Sequence, residues 1–167
     1  MKNPNELKAR FPYMFDEANL GISIARGWFP MFAKLCEDID ELLGSDKKNF
    51  RWIQAKEKFG VARWHYRIDG LSPSIKVRLV DHSSVVTVLR DSSEEKPAAK
   101  VQELVAELIA SAENKTHTTC IVCGDAGHPD SHTGYVLVLC AQHAHQRKNE
   151  GNQSMRALWF NDDEDSL

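Results

Sequence analysis

The chain has 167 residues, 42% of them hydrophobic and 27% charged, with a formal net charge of -3. That is enough material to bury one proper core, and no apolar run approaches the roughly 20 residues that a bilayer span needs. The first residues lack the uninterrupted apolar stretch of a secretory leader, and four cysteines without a disulfide-framework spacing are read as reduced, so a cytoplasmic location is expected.

Leu7, Phe11, Phe15 and Ala18 recur at near-helical spacing and predict a short helix over 5–18, in spite of Pro12. The signal sharpens after Gly27. Pro30 suits a first helical turn, while Met31, Phe32, Leu35, Ile39, Leu42 and Leu43 form one stripe and Gly44 stops it. An amphipathic helix over about 29–43 is predicted, with Glu37, Asp38, Asp40 and Glu41 on its solvated side and Cys36 as a small core residue.

Aromatic and β-branched residues next alternate with charges around Phe59-Gly60, which reads as a hairpin. Strand side chains alternate with period two, so Arg63, His65 and Arg67 face one way and Trp64, Tyr66 and Ile68 the other. Residues 47–78 carry nine basic side chains against two acidic ones, a local +7. The pattern continues through Ile75, Val77 and Leu79, a turn near 82–84 and Val85 to Leu89, predicting an antiparallel meander of about four strands over 50–90. Pro97 then opens a second amphipathic helix, whose stripe is Val101, Leu104, Val105, Leu108, Ile109 and Ala112.

Three of the four cysteines fall at 120, 123 and 140. A C-x2-C turn folds two sulfurs onto one metal, and Cys120 and Cys123 make such a pair, with Gly124 closing the turn. Cys140 and His143 follow after the strand-like "GYVLVL". In a helix beginning near Cys140, position 143 lies about 60° around the axis and His145 about 140°, which selects His143 as the ligand. Structural Zn2+ held by Cys120, Cys123, Cys140 and His143 in a treble-clef or zinc-ribbon-like finger is the favoured reading. The alternatives are coincidental spacing and an open catalytic zinc. His128, Asp130 and His132 lie in the intervening loop, as an exposed tip or a second cluster.

The expected organisation is α+β. A core domain at 1–115 carries the sheet and its helices, a zinc-finger lobe occupies 116–150, and an acidic tail at 151–167 ends in "NDDEDSL" and is expected to be disordered by its composition. No P-loop, nucleophile elbow or dinucleotide fingerprint appears, so neither an enzyme nor a small-molecule substrate is expected.

Two resemblances bear on function. "VLVLCAQHAHQRKN" resembles the C-terminal part of an HNH-type endonuclease, but it lacks that family's D-H catalytic strand and longer insert. "LKARFPYMF", "ARGWFPMFAKLCEDIDELL", "QAKEKFGVARWHY", "CIVCGDAG" and "LCAQH" occur in an order that resembles a group of small uncharacterised phage and prophage proteins. Gln54, Lys56, Glu57, Lys58, Phe59, Gly60 and Arg63 carry the most specific part of the match, and residues 71–93 and those beyond His143 depart from it. The resemblance implies a phage setting, hence a bacterial host cytoplasm, and a metal finger, but no activity. Three functions follow as expectations. The first is a protein-interaction module, aimed at a host or defence protein, using the finger, the hairpin face or exposed Trp28 and Trp159. The alternative is nucleic-acid binding through Lys56, Lys58, Arg63, His65 and Arg67 beside Trp52. The third, less favoured, is an HNH-like metal-dependent nuclease using His128 or His132.

Overall fold

Asn3 opens the first helix, α1 (Pro4–Arg10), by accepting the Glu6 backbone N–H at 2.9 Å. The structure, a computed structural model, describes residues 1–16, 22–69, 76–78, 86–88, 97–151 and Leu158. The helix predicted over 5–18 stops early. Phe11 leaves helical geometry (φ -125°, ψ 58°) because the ring of Pro12 crowds an α-conformation in the residue before it. A separate 3₁₀ turn, Pro12–Phe15, follows, and Ala18 lies outside the described residues. Leu7, Phe11 and Met14 still reach the core.

Helix α2 (Phe29–Leu43) matches its prediction from first residue to last, with Pro30 in its first turn and Gly44 beyond its end. It buries Phe29, Phe32, Ala33, Leu35, Cys36, Ile39 and Leu43. Strands β1 (Phe50–Lys58) and β2 (Val61–Ile68) form the hairpin, joined by Phe59 and Gly60, both at positive φ (54° and 80°). Two such residues between antiparallel strands give a turn whose twist matches the strands. The register pairs Phe50 with Ile68, Trp52 with Tyr66, Ala55 with Trp64 and Glu57 with Ala62. A bulge between Trp52 and Gln54 moves the inward face from even to odd positions of β1.

Phe32 of α2 inserts between the inward rings, 5.0 Å from both Trp52 and Trp64, and Phe50 lies 5.1 Å from Trp52. Trp52 Nε1 is buried without a hydrogen-bond partner. Burial pushes the nearby Cys36 thiol up to about 12, which suits the inert core cysteine expected.

The hairpin has two edges, and both are occupied. On one side Ser23 donates to Ala55 O at 2.8 Å. On the other, α3 (Pro97–Lys115) packs against α2 and β2; Glu113 accepts the Trp64 N–H at 2.7 Å, and Thr116 Oγ1 accepts the Ala62 N–H at 3.1 Å. These side chains satisfy edge amides that would otherwise be buried unpaired or left to recruit another strand. Val105, Ile109 and Ala112 are the buried part of the predicted α3 stripe, while Leu104 is exposed.

All four strands predicted over 50–90 are present, but β3 (Lys76–Arg78) and β4 (Val86–Val88) form their own antiparallel pair rather than extending β1–β2 among the described residues. Ile75, Leu79 and the turn at 82–84 lie outside the described residues, as does the acidic end, including Trp159. A third pair, β5 (His128–Asp130) with β6 (Leu137–Leu139), leads into α4 (Ala141–Glu150). The chain is α+β, and no described helix is long and apolar enough to cross a membrane. Ile121, Leu137 and Leu139 belong to the same apolar cluster as Leu7, Phe32 and Trp52.

Asp40 corrects the reading of the acidic run as wholly solvated. Its side chain, 23% exposed, accepts from Tyr13 Oη at 2.9 Å and from Lys47 Nζ at 2.8 Å, tying the first 3₁₀ turn and the segment after α2 to the helix. Partial burial opposes ionisation, but Lys47 and Tyr13 outweigh it and hold the carboxyl below its usual pKa. A depressed carboxylate contributes stability above its unfolded pKa and loses it as pH falls through the folded value. Asp40→Asn is therefore expected to cost about 1 kcal/mol at neutral pH, with the difference from wild type shrinking below about pH 4, as read by urea unfolding at both pH values.

Candidate metal centre

A short turn carries the first two sulfurs. The Gly124 N–H donates to Cys120 O at 2.9 Å and the Cys120 N–H to Asp125 O at 2.7 Å, with Gly124 at φ 85°. The Ile121 N–H donates to Val138 O at 2.9 Å, setting this knuckle beside β6, whose end delivers Cys140 as the N-cap of α4. One helical turn on, His143 comes back over the same point, while the Ala144 N–H closes the first α4 hydrogen bond onto Cys140 O at 2.9 Å.

The four predicted ligands converge: one donor atom from each of Cys120, Cys123, Cys140 and His143 lies within 4.8 Å of the others. Cys123 Sγ is 3.8 Å from Cys140 Sγ, and His143 Nδ1 is 3.5 Å from Cys120 Sγ and 3.1 Å from Cys140 Sγ. All three sulfurs are free thiols. His145 instead points its ring at Asn149, 3.2 Å away.

Burial first, and then the Cys120 thiol and the Asp125 carboxylate, push the Cys123 thiol up to about 12 against the opposing backbone N–H of Asp125. Burial also opposes the Cys140 thiolate, yet the backbone N–H of His143, hydrogen bonds from the Cys123 and Cys120 thiols and the backbone N–H of Gln142 together outweigh it, and its pKa falls below the usual thiol value. Three sulfurs in this space repel one another once ionised, and a cation between them reverses that repulsion. The donor set fits a metal ion, and among the described residues it is the one group of three or more such side chains so placed.

The second candidate cluster does not assemble. Asp130 Oδ1 accepts from Arg147 Nη1 at 2.8 Å and from the His132 N–H at 3.1 Å. Arg147, fully buried, also donates to the carbonyls of Asp130, His132 and Tyr135 at 3.1, 2.7 and 2.7 Å. This guanidinium replaces missing ladder partners for the whole loop, which explains its burial in a helix otherwise polar. Sequence reasoning missed it, since nothing local separates Arg147 from Lys148.

Trp28 is the second correction. Expected as an exposed contact residue, it is 2% exposed and donates from Nε1 to Thr119 O at 3.0 Å. Its neighbour Gly27 donates to Ile121 O at 2.9 Å, and a Cβ on Gly27 would fall 2.3 Å from Cys120 O. A Cβ on Gly124 would fall 2.8 Å from Gly27 O. The two glycines let the start of α2 lie backbone to backbone against the knuckle.

The hairpin tip also meets this half of the molecule. Glu57 accepts the Gly60 N–H at 2.6 Å and the Tyr135 hydroxyl. On the outer hairpin face Lys56, Lys58, Arg63, His65 and Arg67 are all exposed, as their alternation predicted. Arg67 pairs with Asp69 at 2.9 Å, whereas Trp52 is buried on the opposite face and cannot serve the basic one. An open cleft of about 640 Å³ bounded by Arg10, Tyr13, Glu37, Asp40 and Lys47 has these side chains already paired with one another, Arg10–Glu37 at 3.0 Å and Lys47–Asp40 at 2.8 Å.

No family model matches the chain, and neither a curated protein nor a solved structure is significantly similar to it.

Gly27→Ala is expected to cost about 1–3 kcal/mol by overpacking the knuckle, with a change in Trp28 fluorescence as the indole leaves Thr119. Arg147→Ala is expected to cost about 3–5 kcal/mol, because Asp130 and three carbonyls lose their buried partner; chemical denaturation monitored by circular dichroism measures both.

Proposed function

We propose that the chain is a zinc protein whose metal is structural, and that it acts as a protein-interaction module. The observation that carries the first half is the spacing of the four donors. Zinc–sulfur bonds of about 2.3 Å and zinc–nitrogen bonds of about 2.0–2.1 Å place tetrahedral ligands about 3.8 Å apart for two sulfurs and about 3.5 Å apart for sulfur and nitrogen. The Cys123–Cys140 and Cys120–His143 separations of 3.8 and 3.5 Å agree with those edges, while the Cys140–His143 separation of 3.1 Å is shorter than its edge. Soft thiolates with one imidazole suit zinc, and four protein ligands leave no position for a reacting water. When bound, the ion ties the knuckle to α4 and adds its binding energy to the fold. The knuckle, the β5–β6 pair and the helix bearing the last ligand support a treble-clef-like finger.

A metal of this kind works by holding a surface in shape. Here the finger is joined to the body at Gly27 and Trp28 and to the hairpin at Glu57 and Tyr135, so one continuous surface is presented. The resemblance to phage and prophage proteins supports a partner among host or defence proteins in the bacterial cytoplasm. A second reading, nucleic-acid binding, draws on Lys56, Arg63 and His65, which are exposed and have no ion-pair partner among the described residues. The burial of Trp52 removes the stacking ring that this reading required. An HNH-like nuclease is not proposed, because the Asp130 carboxylate is engaged by Arg147 and all four metal ligands belong to one closed set.

Purified protein is expected to carry one zinc per chain by elemental analysis. Cys123→Ser and Cys140→Ser should each abolish stoichiometric binding, and acidification should release the ion as thiolates and imidazole take up protons. Fully folded, metal-free protein would overturn the zinc assignment. For the interaction, affinity capture from nuclease-treated host lysate is expected to retain a specific protein. Salt-sensitive retention on DNA with no protein captured would favour the second reading.

A further inference from the structure

The most exposed large apolar side chain among the described residues occupies a backbone conformation that such side chains avoid. Phe59 stands at φ 54° in the first position of the hairpin turn and is 67% exposed. Asn, Asp and Gly are favoured there, and a bulky residue is an outlier. Its ring gains little from the fold, with Lys58 Nζ 5.5 Å from its centroid on one side. Beside it, Lys56 and Arg63 sit directly opposite one another in register, a like-charge pair that weakens a hairpin. His65 follows on the same face, and none of these three has an ion-pair partner among the described residues. Two locally unfavourable choices side by side are the mark of a contact site rather than of a passive surface.

The turn beneath them is nevertheless held firmly. Glu57 accepts the Gly60 N–H and the Tyr135 hydroxyl, and Gly60 rests against the backbone of Val136 and Leu137. A rigidly presented ring with cations around it loses little entropy on docking.

We propose that the hairpin tip is the docking anchor, with Phe59 entering an apolar pocket on an acidic protein surface and Lys56, Lys58 and Arg63 pairing with the carboxylates around that pocket. The inference rests on the protein-interaction reading above and deepens it by naming the surface and the partner's chemistry. Single-stranded nucleic acid suits the same cations less well. It calls for successive stacking platforms, whereas Trp52 and Trp64 are buried and the Tyr135 hydroxyl is held by Glu57.

The test uses the 167-residue, metal-loaded chain against three probes: acidic peptides containing one Leu, Phe or Trp, the same peptides with that residue changed to Ala, and oligothymidylate. The wild-type chain is expected to prefer the apolar-bearing acidic peptides over their Ala counterparts by about tenfold or more, the effect of one aromatic anchor. Phe59→Asn should abolish that preference while raising the thermal midpoint by about 2–4 °C, since the turn is relieved. Equal binding of the Ala peptides, no peptide binding, an unchanged preference in Phe59→Asn, or a lowered midpoint in that variant would each overturn the anchor. A host protein captured equally by wild type and Phe59→Asn would overturn the anchor and leave the interaction reading standing, whereas oligothymidylate outcompeting every peptide would overturn both.

Discussion

Gly27 and Gly124 touch backbone to backbone, and the rest of the molecule is arranged around that contact. On one side lies α2, with Phe32 wedged among Trp52 and Trp64; on the other lies the knuckle that carries Cys120 and Cys123. A single methyl group at Gly27 would fall 2.3 Å from the carbonyl of Cys120. The interlock leaves no room for adjustment because both partners are main chain, which cannot swing aside as a long side chain can. Trp28 doubles the link by placing its indole N–H on Thr119 O, 91 positions away in sequence. The apolar core and the Cys/His cluster consequently share one scaffold.

Buried polar groups then divide the remaining work. Thr116 and Glu113 close the outer edge of β2, Asp40 gathers two irregular segments onto α2, and Arg147 organises the loop between β5 and β6. Thr116, Glu113 and Asp40 are each worth less than a fully buried aromatic side chain, about 1.5–3 kcal/mol, whereas removing Arg147 costs more because its buried partners are left unpaired. Their importance is directional: they fix where edges and loops sit, which apolar contact alone does not specify. Glu57 belongs to the same group, since it shapes the hairpin turn and receives Tyr135 from the finger side with one carboxylate.

The outer hairpin face contrasts with this economy. Inside, nearly every polar group has a partner; outside, Lys56, Arg63 and His65 have none among the described residues, and Phe59 is held out at a strained turn position. A surface built for stability alone would place a small turn-former at 59 and mix the charges of the cross-strand pair. The concentration of such costs at one tip, next to a rigid finger, is what gives the molecule a front.

Much of this was legible in the residue order. The ends of α2, the turn at Phe59-Gly60, the outward set Lys56, Lys58, Arg63, His65 and Arg67, and the convergence of Cys120, Cys123, Cys140 and His143 all follow from local rules: helical period, strand alternation, turn geometry and ligand spacing. The tertiary structure decided matters that depend on partners remote in sequence. It split the strands over 50–90 into two pairs, turned Trp28 inward, spent Asp130 on Arg147 rather than on a histidine cluster, and buried Arg147 itself. Periodicity records which side of an element is apolar, because that preference is written in neighbouring residues. It does not record which distant backbone will come to lie against that side, and so a tryptophan or an arginine reads the same in sequence whether it faces water or the carbonyls of a loop that only folding brings near.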